Sequence, residues 1–309
     1  MPSLQEFTFL SSDGKHQVFA RECVPDGEVR GVVQIAHGIA EYIDRYIPFM
    51  QFLAENGFVA VGNDHLGHGK TAQTDGERCF FGEEKGWDLV VEDMDRLRET
   101  EAKKYPDVPY FLLGHSMGSF LARTYIIRYP NALHGVIISG TGQNPGAVIA
   151  GGKLIAKLER SKHGANYPSM RINKMAFGSY TKRYENVRTS LDWLSRDPAV
   201  VDAYVADPLC GMPASAGLFL DMMNGLQYIW KSENLNRMNK AMPVFFYSGD
   251  MDPVGNYGKG VKKVYDRFLK VGMRDVLLKL YPEGRHEMLN EINKEAVYED
   301  ILSWLNSKL

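Results

Sequence analysis

Three cysteines in 309 residues, Cys23, Cys79 and Cys210, are too few and too scattered for a disulfide framework or a thiolate zinc site, so their expected state is reduced and structural. No stretch of eighteen apolar residues occurs, which excludes a helical membrane span by this measure. The first residues, Met-Pro-Ser-Leu-Gln-Glu-Phe-Thr, lack the basic start and apolar block of an export signal, and the expectation is a soluble, cytoplasmic protein. Charge of one sign is also missing: the formal net charge is −2 and no long run of like charges appears, which gives no electrostatic reason to expect a nucleic acid or an anionic membrane as partner. Internal repeats and low-complexity tracts are absent. At 44% hydrophobic and 24% charged, the chain has enough apolar material for a large core.

What is present is a succession of short apolar runs. Glu6 to Phe9 and His16 to Arg21 alternate around Ser-Ser-Asp13-Gly14, the pattern of an antiparallel hairpin. Beyond it, 31–36, 58–62, 109–113, 134–139, 244–248 and 275–281 are mostly apolar and are separated by amphipathic stretches. Strands buried on both faces have this composition, and the alternation implies an α/β fold: a mainly parallel sheet with helices on both faces. Helical periodicity covers 46–56, 87–104, 117–129, 261–271 and 295–307, with Gly57 and Gly272 as stop signals behind two of them.

Between Thr141 and about Lys240 the alternation lapses into several helices without a buried strand. The expected organisation is a core of 1–141 and 241–309 with a helical cap, or lid, inserted at 142–240.

The chemistry concentrates at strand ends. Gly114-His115-Ser116-Met117-Gly118 lies between an apolar run and a helical pattern, the context of a nucleophile elbow. There a serine sits on a sharp strand-to-helix turn, and the glycines let neighbouring backbone pass close by. A serine hydroxyl is a weak nucleophile at neutral pH, so it needs a base within hydrogen-bond reach and a group that orients the base. Gly249-Asp250-Met251-Asp252 follows one later strand and Gly284-Arg285-His286 follows the next, giving the order serine, acid, histidine. On these grounds alone, Asp250 and Asp252 both qualify as the acid. His115 is expected to pack against its own turn and His37 to shape a loop, while His65 and His68 fit a tight glycine-rich loop better than a metal pair with Asp64.

Taken together, Ala36-His37-Gly38-Ile39-Ala40-Glu41 with Arg45-Tyr46, Asp64-His65-x-Gly67-His68-Gly69, the serine pentapeptide, Asp207-Pro208-Leu209, Gly249-x-x-Asp252 and His286 resemble the monoacylglycerol lipase and lysophospholipase branch of the α/β-hydrolase family. The resemblance implies Ser116 as nucleophile, His286 as base and then acid, and Asp252 rather than Asp250 as its orienting partner. It also implies an oxyanion hole built from the backbone N–H groups of Ile39 and Met117, with neither metal nor organic cofactor. Ala40 stands where the family often has glycine. Leu289 replaces a second histidine common near the alcohol-binding end, leaving Glu41 and Arg45 as candidate substrate contacts beside it.

The implied reaction is hydrolysis of a small lipid-like ester, a monoacylglycerol or lysophospholipid, through an acyl-enzyme. Related caps redirect the same triad to aromatic esters, amides or peptides, and a silent binding protein is the reading from another class. Within the cap, 145–158 has the composition of a mobile lid helix that lines an acyl pocket or makes transient membrane contact. Met212, Leu218, Phe219, Met222, Met223, Leu226 and Trp230 recur at helical spacing and are expected to pack the cap, with part of the series facing the pocket. The oligomeric state has no signature in the sequence.

Overall fold

The computed structural model describes residues 1–309. The opening hairpin forms as β1 (Ser3–Leu10) and β2 (Gln17–Val24), and the apolar runs become β3 (Gly31–Ala36), β4 (Phe58–Asn63), β5 (Tyr110–His115), β6 (Gly135–Ser139), β7 (Val244–Gly249) and β8 (Val276–Tyr281). They make one eight-stranded sheet in the order β1-β2-β4-β3-β5-β6-β7-β8, antiparallel at the hairpin end and parallel from β4 onward. Each crossover to a parallel neighbour must pass over a sheet face, so helices cover both faces.

Side-chain alternation divides the core between those faces. Val32, Leu112, Val136 and Phe246 point toward α2 (Gly86–Lys104), α3 (Met117–Arg128) and α9 (Lys259–Lys270). Their chain neighbours Val33, Leu113, Ile137 and Phe245 point toward α1 (Ile47–Glu55) and α10 (Lys294–Asn306). Because β3 to β7 are apolar at both parities, both faces are dry, and the sheet is fixed in the middle of the molecule.

β8 departs from the expectation of burial on both faces. It has β7 as its sole neighbour, and Leu277 and Leu280 remain 46% and 36% exposed. An edge strand with a Lys between them is partly solvated, and the charge discourages pairing with another chain.

Between β6 and β7 run five helices, α4 (Gly146–His163), α5 (Met170–Phe177), α6 (Pro198–Ala206), α7 (Ala216–Tyr228) and α8 (Ser232–Leu235). Serine and aspartate caps start three of them: Ser169 accepts from the Ile172 N–H, Asp197 from Ala199 and Ser215 from Leu218. The apolar series at Leu218, Phe219, Met222 and Leu226 packs α7 into the larger core cluster, while α4 lies along α7. α4 runs five residues beyond the sequence-expected segment, to the glycine at 164.

Candidate active site

The elbow forms because β5 ends at His115 and α3 begins at Met117, leaving a single residue to reverse the chain. Ser116 takes φ 53° and ψ −120°, a conformation that L-residues rarely hold, and the surrounding backbone over-determines it. Its N–H donates to the Ser139 carbonyl at 3.0 Å, and the Ser119 hydroxyl donates to the Ser116 carbonyl at 2.6 Å. The two glycines are steric necessities: a side chain at 118 would run into the Ala36 carbonyl, and one at 114 into the Gly118 carbonyl.

Asp252 and His286 arrive from the loops behind β7 and β8, which are hydrogen-bonded neighbours in the sheet. The imidazole Nδ1 donates to Asp252 Oδ2 at 3.0 Å. The same carboxylate accepts from the Ser248 hydroxyl at 3.1 Å and, through Oδ1, from the Val254 N–H at 2.8 Å. Asp252 is wholly buried and His286 nearly so. Burial works against a charged imidazole, and the adjoining Asp252 more than offsets it, so the His286 pKa lies above the ordinary 6.5. Its Nε2 is buried without a protein partner. Asp250 instead accepts the Glu283 N–H at 2.7 Å, which braces the turn ahead of the histidine.

Two cavities meet at Ser116. One of about 850 Å³ is mostly apolar, walled by Met117, Phe120, Ile155, Phe219 and Met223 among others, and reaches the exposed side chains of Val148 and Met175. The second, about 230 Å³, is lined by His286, Glu41, Glu287, Asn173 and Tyr204. Ile39, Ser116, Phe177 and Trp193 line both. Trp193, whose ring centroid lies 5.0 Å from that of His286 and whose carbonyl accepts the His286 N–H at 3.3 Å, was invisible as a site residue in the sequence. The pairing depends on a contact across 93 residues.

The loop after β3 is held polar group by polar group. His37 Nδ1 lies 2.7 Å from the Gly38 carbonyl, which it bonds, and its Nε2 accepts the His65 N–H at 2.9 Å. The Gly38 N–H donates to Glu41 Oε1 at 2.6 Å. The N–H groups of Ile39 and Met117 donate to no protein acceptor, and both residues line the large cavity beside Ser116.

Two candidate substrate contacts lie elsewhere than expected. Arg45 is largely buried, donates to Glu41 at 2.6 Å, and grips Glu287 through two bonds at 2.8 and 2.7 Å; it lines neither cavity. Burial would raise the Glu287 carboxyl, but Arg45 overrides it and brings the pKa down to about 2. Leu289 is buried in the core cluster between α1 and α10, with the Tyr298 hydroxyl on its carbonyl at 3.0 Å. Glu41 does line the small cavity, although Gly38, Arg45 and Tyr46 engage its carboxylate. The other histidines near the site are packed: His115 lies 3.2 Å from the Ser139 hydroxyl with its pKa lowered to about 4 by burial and by His286, and the His65 ring lies tilted against that of His37 with centroids 4.1 Å apart.

A profile of the serine aminopeptidase S33 family matches residues 27–293. The chain belongs to that family. This S33-family α/β-hydrolase is 30% identical over 293 residues to the monoacylglycerol lipase of Mycolicibacterium smegmatis, covering 92% of this chain and 91% of that one. It is 25% identical to the mouse monoglyceride lipase, covering 97% and 90%. Its fold superposes on the carboxyl esterase of Bacillus coagulans, solved with glycerol, with a TM-score of 0.91 at 33% identity over 99% and 98% of the two chains. The S33-family chain is a carboxylic-ester hydrolase of the monoacylglycerol lipase-like branch.

Proposed function

We propose that this hydrolase cleaves monoacylglycerol- or lysophospholipid-like esters through a Ser116–His286–Asp252 triad, with residues 1–141 and 241–309 as the catalytic core and 142–240 as its cap. The observation that carries the proposal is the serine on the elbow at the junction of a large apolar cavity and a small polar one. An ester of one long chain and one small hydrated alcohol has that same division of polarity about its carbonyl.

In the proposed reaction, Ser116 Oγ adds to the ester carbonyl as His286 Nε2 takes its proton. Asp252 holds Nδ1–H and stabilises the imidazolium. The tetrahedral oxyanion is met by the Ile39 and Met117 N–H groups, which have no other acceptor. The C–O bond then breaks and the alcohol leaves with the Nε2 proton. Water, deprotonated by His286, repeats the addition on the acyl-enzyme and releases the fatty acid. No step calls for a metal or an organic cofactor.

The test is a p-nitrophenyl ester series. With the acyl chain in the large cavity, kcat/KM is expected to rise roughly two- to fourfold per methylene from acetate to a medium chain, since each buried methylene is worth about 0.8 kcal/mol. Gly152 on α4 lines this cavity, and a β-carbon there would stand 3.2 Å from Met223 Sδ. Gly152→Phe is therefore expected to depress long-chain turnover about tenfold or more while leaving acetate within about twofold. A flat chain-length profile would remove the lipid assignment.

The same geometry supports transient membrane contact. No helix is long and apolar enough to cross a bilayer. On α4, however, Leu154 and Leu158 are 60% and 59% exposed beside Lys153 and Lys157, while Val148, 56% exposed, and Met175 of α5 stand at the mouth of the large cavity. An exposed apolar pair edged by lysines suits the interface of an anionic bilayer. Co-sedimentation is expected to be stronger with phosphatidylglycerol-containing vesicles than with pure phosphatidylcholine, and to weaken in Leu154→Glu. Equal, negligible sedimentation with both would exclude the contact.

A further inference from the structure

The strand-end loop that carries Ile39 is not held by the core alone. Ala40, a non-glycine residue at φ 55°, presents its carbonyl to two donors from the segment between β6 and β7. The Tyr204 hydroxyl donates to it at 2.8 Å and the Gly211 N–H at 2.9 Å. Tyr204 stands on α6, a nine-residue helix started by Asp197 and Pro198, and Gly211 follows four residues after Asp207 ends that helix. A second tie runs the other way: the Tyr42 hydroxyl donates to Asp207 Oδ2 at 2.7 Å, while Asp207 Oδ1 accepts the Leu209 N–H. The Arg45 guanidinium lies over the Tyr204 ring at 4.7 Å, which joins the tie to the Glu41–Arg45–Glu287 network leading to His286.

Backbone geometry gives this contact its leverage. The Gly38 carbonyl, in the same peptide plane as the Ile39 N–H, is taken by His37, the Gly38 N–H by Glu41, and the Ala40 carbonyl by Tyr204 and Gly211, so the loop is anchored on either side of Ile39. The strained φ at Ala40 favours relaxation of the 40–41 peptide once the Ala40 carbonyl is released, a movement that reaches the Ile39 N–H through the intervening 39–40 peptide.

We propose that Tyr204 is a positioning residue, part of a latch by which the α6 segment sets the oxyanion N–H of Ile39. The helical insertion thereby acts on the rate of bond making as well as on substrate fit. The inference rests on the assignment of Ile39 and Met117 as oxyanion donors and adds to it a dependence on residues 204–211. Tyr204 does not touch the reacting atoms; it acts through the Ala40 carbonyl.

The experiment is Tyr204→Phe, which removes one hydroxyl and keeps the ring over Arg45, assayed with wild type and Ser116→Ala by stopped-flow on p-nitrophenyl butyrate. Because one oxyanion hole serves both acylation and deacylation, the burst rate and the steady-state rate are expected to fall by the same factor. That factor should be about 5- to 30-fold, between the loss of one neutral hydrogen bond and the loss of an oxyanion donor. KM should stay within about twofold, the inhibition constant of a boronic acid that forms a tetrahedral serine adduct should rise by the same factor, and the thermal midpoint should stay close to that of wild type. Tyr42→Phe, which cuts the Asp207 tie, should give the same pattern in weaker form.

The latch is overturned if both rates are unchanged, or if the loss follows thermal destabilisation. It is equally overturned if acylation alone slows to a degree set by the leaving group, which would make Tyr204 an alcohol contact in the small cavity that it lines. An inactive Ser116→Ala beside an unaffected Tyr204→Phe rejects the latch and keeps the triad; an active Ser116→Ala rejects the assignment beneath both.

Discussion

Ser116→Ala is expected to lower kcat/KM on a medium-chain p-nitrophenyl ester by about 10⁵-fold or more, while KM and the folded state are retained. The side chain lost is one oxygen, but in the proposed reaction it is the atom that forms the covalent bond, and no other hydroxyl occupies the elbow. The substitution removes no structural hydrogen bond, because the fold uses the Ser116 N–H and carbonyl and leaves Oγ free. The strained φ of 53° is held by the Ser139 carbonyl and the glycines around it, so alanine at 116 inherits the same turn. His286→Ala is expected to produce a loss of similar size, and the double variant little more, since nucleophile and base act as a unit. Residual activity above about one part in a hundred for either single variant would show that the chemistry is done elsewhere.

Asp252→Asn should cost about 10⁴-fold in kcat with the backbone undisturbed. The hydrogen bonds explain why an isostere fails. Oδ2 accepts from both His286 Nδ1 and the Ser248 hydroxyl, and Oδ1 accepts from the Val254 N–H. An asparagine NH₂ must occupy one of these positions. In the Oδ1 position it faces the Val254 N–H donor to donor; in the Oδ2 position it forces His286 to accept at Nδ1 and leaves the proton on Nε2, where the serine needs a base.

The pH dependence follows from the same pair. In the proposed reaction His286 works as a base in its neutral form, and its pKa is raised above 6.5, so wild-type activity should fall as pH drops through that raised value. Removing the Asp252 charge removes the largest contribution favouring the imidazolium, and the acidic limb of the weak remaining activity should move to lower pH. A limb that stays in place in Asp252→Asn would separate it from His286.

Local signals carried much of this site. A buried strand, Gly-x-Ser-x-Gly and a helix fix the elbow within ten residues, because φ at Ser116 and the approach of Ala36 to Gly118 are short-range steric requirements. The order of β7, Asp252, β8 and His286 is likewise written along the chain. Arg45 shows where such inference ends. Its place in the family-like 36–46 segment suggested a polar contact with substrate, yet its guanidinium is consumed by Glu41 and by Glu287, a residue 242 positions away. Leu289, three residues after the histidine, turns into the α1–α10 core instead of the cavity.

Sequence by itself determined the sheet, its burial through the middle strands, and the order and types of the groups that meet at the strand ends, because apolar periodicity and turn sterics act over a few residues. Tertiary structure alone decided which polar groups remain free for chemistry. The two cavities, the pairing of Glu287 with Arg45, the placement of Trp193 against His286 and the grip of Tyr204 on Ala40 all depend on side chains from distant segments filling one volume. A hydrogen-bonding group has few partners, and which of them it reaches is settled only when the whole core has packed.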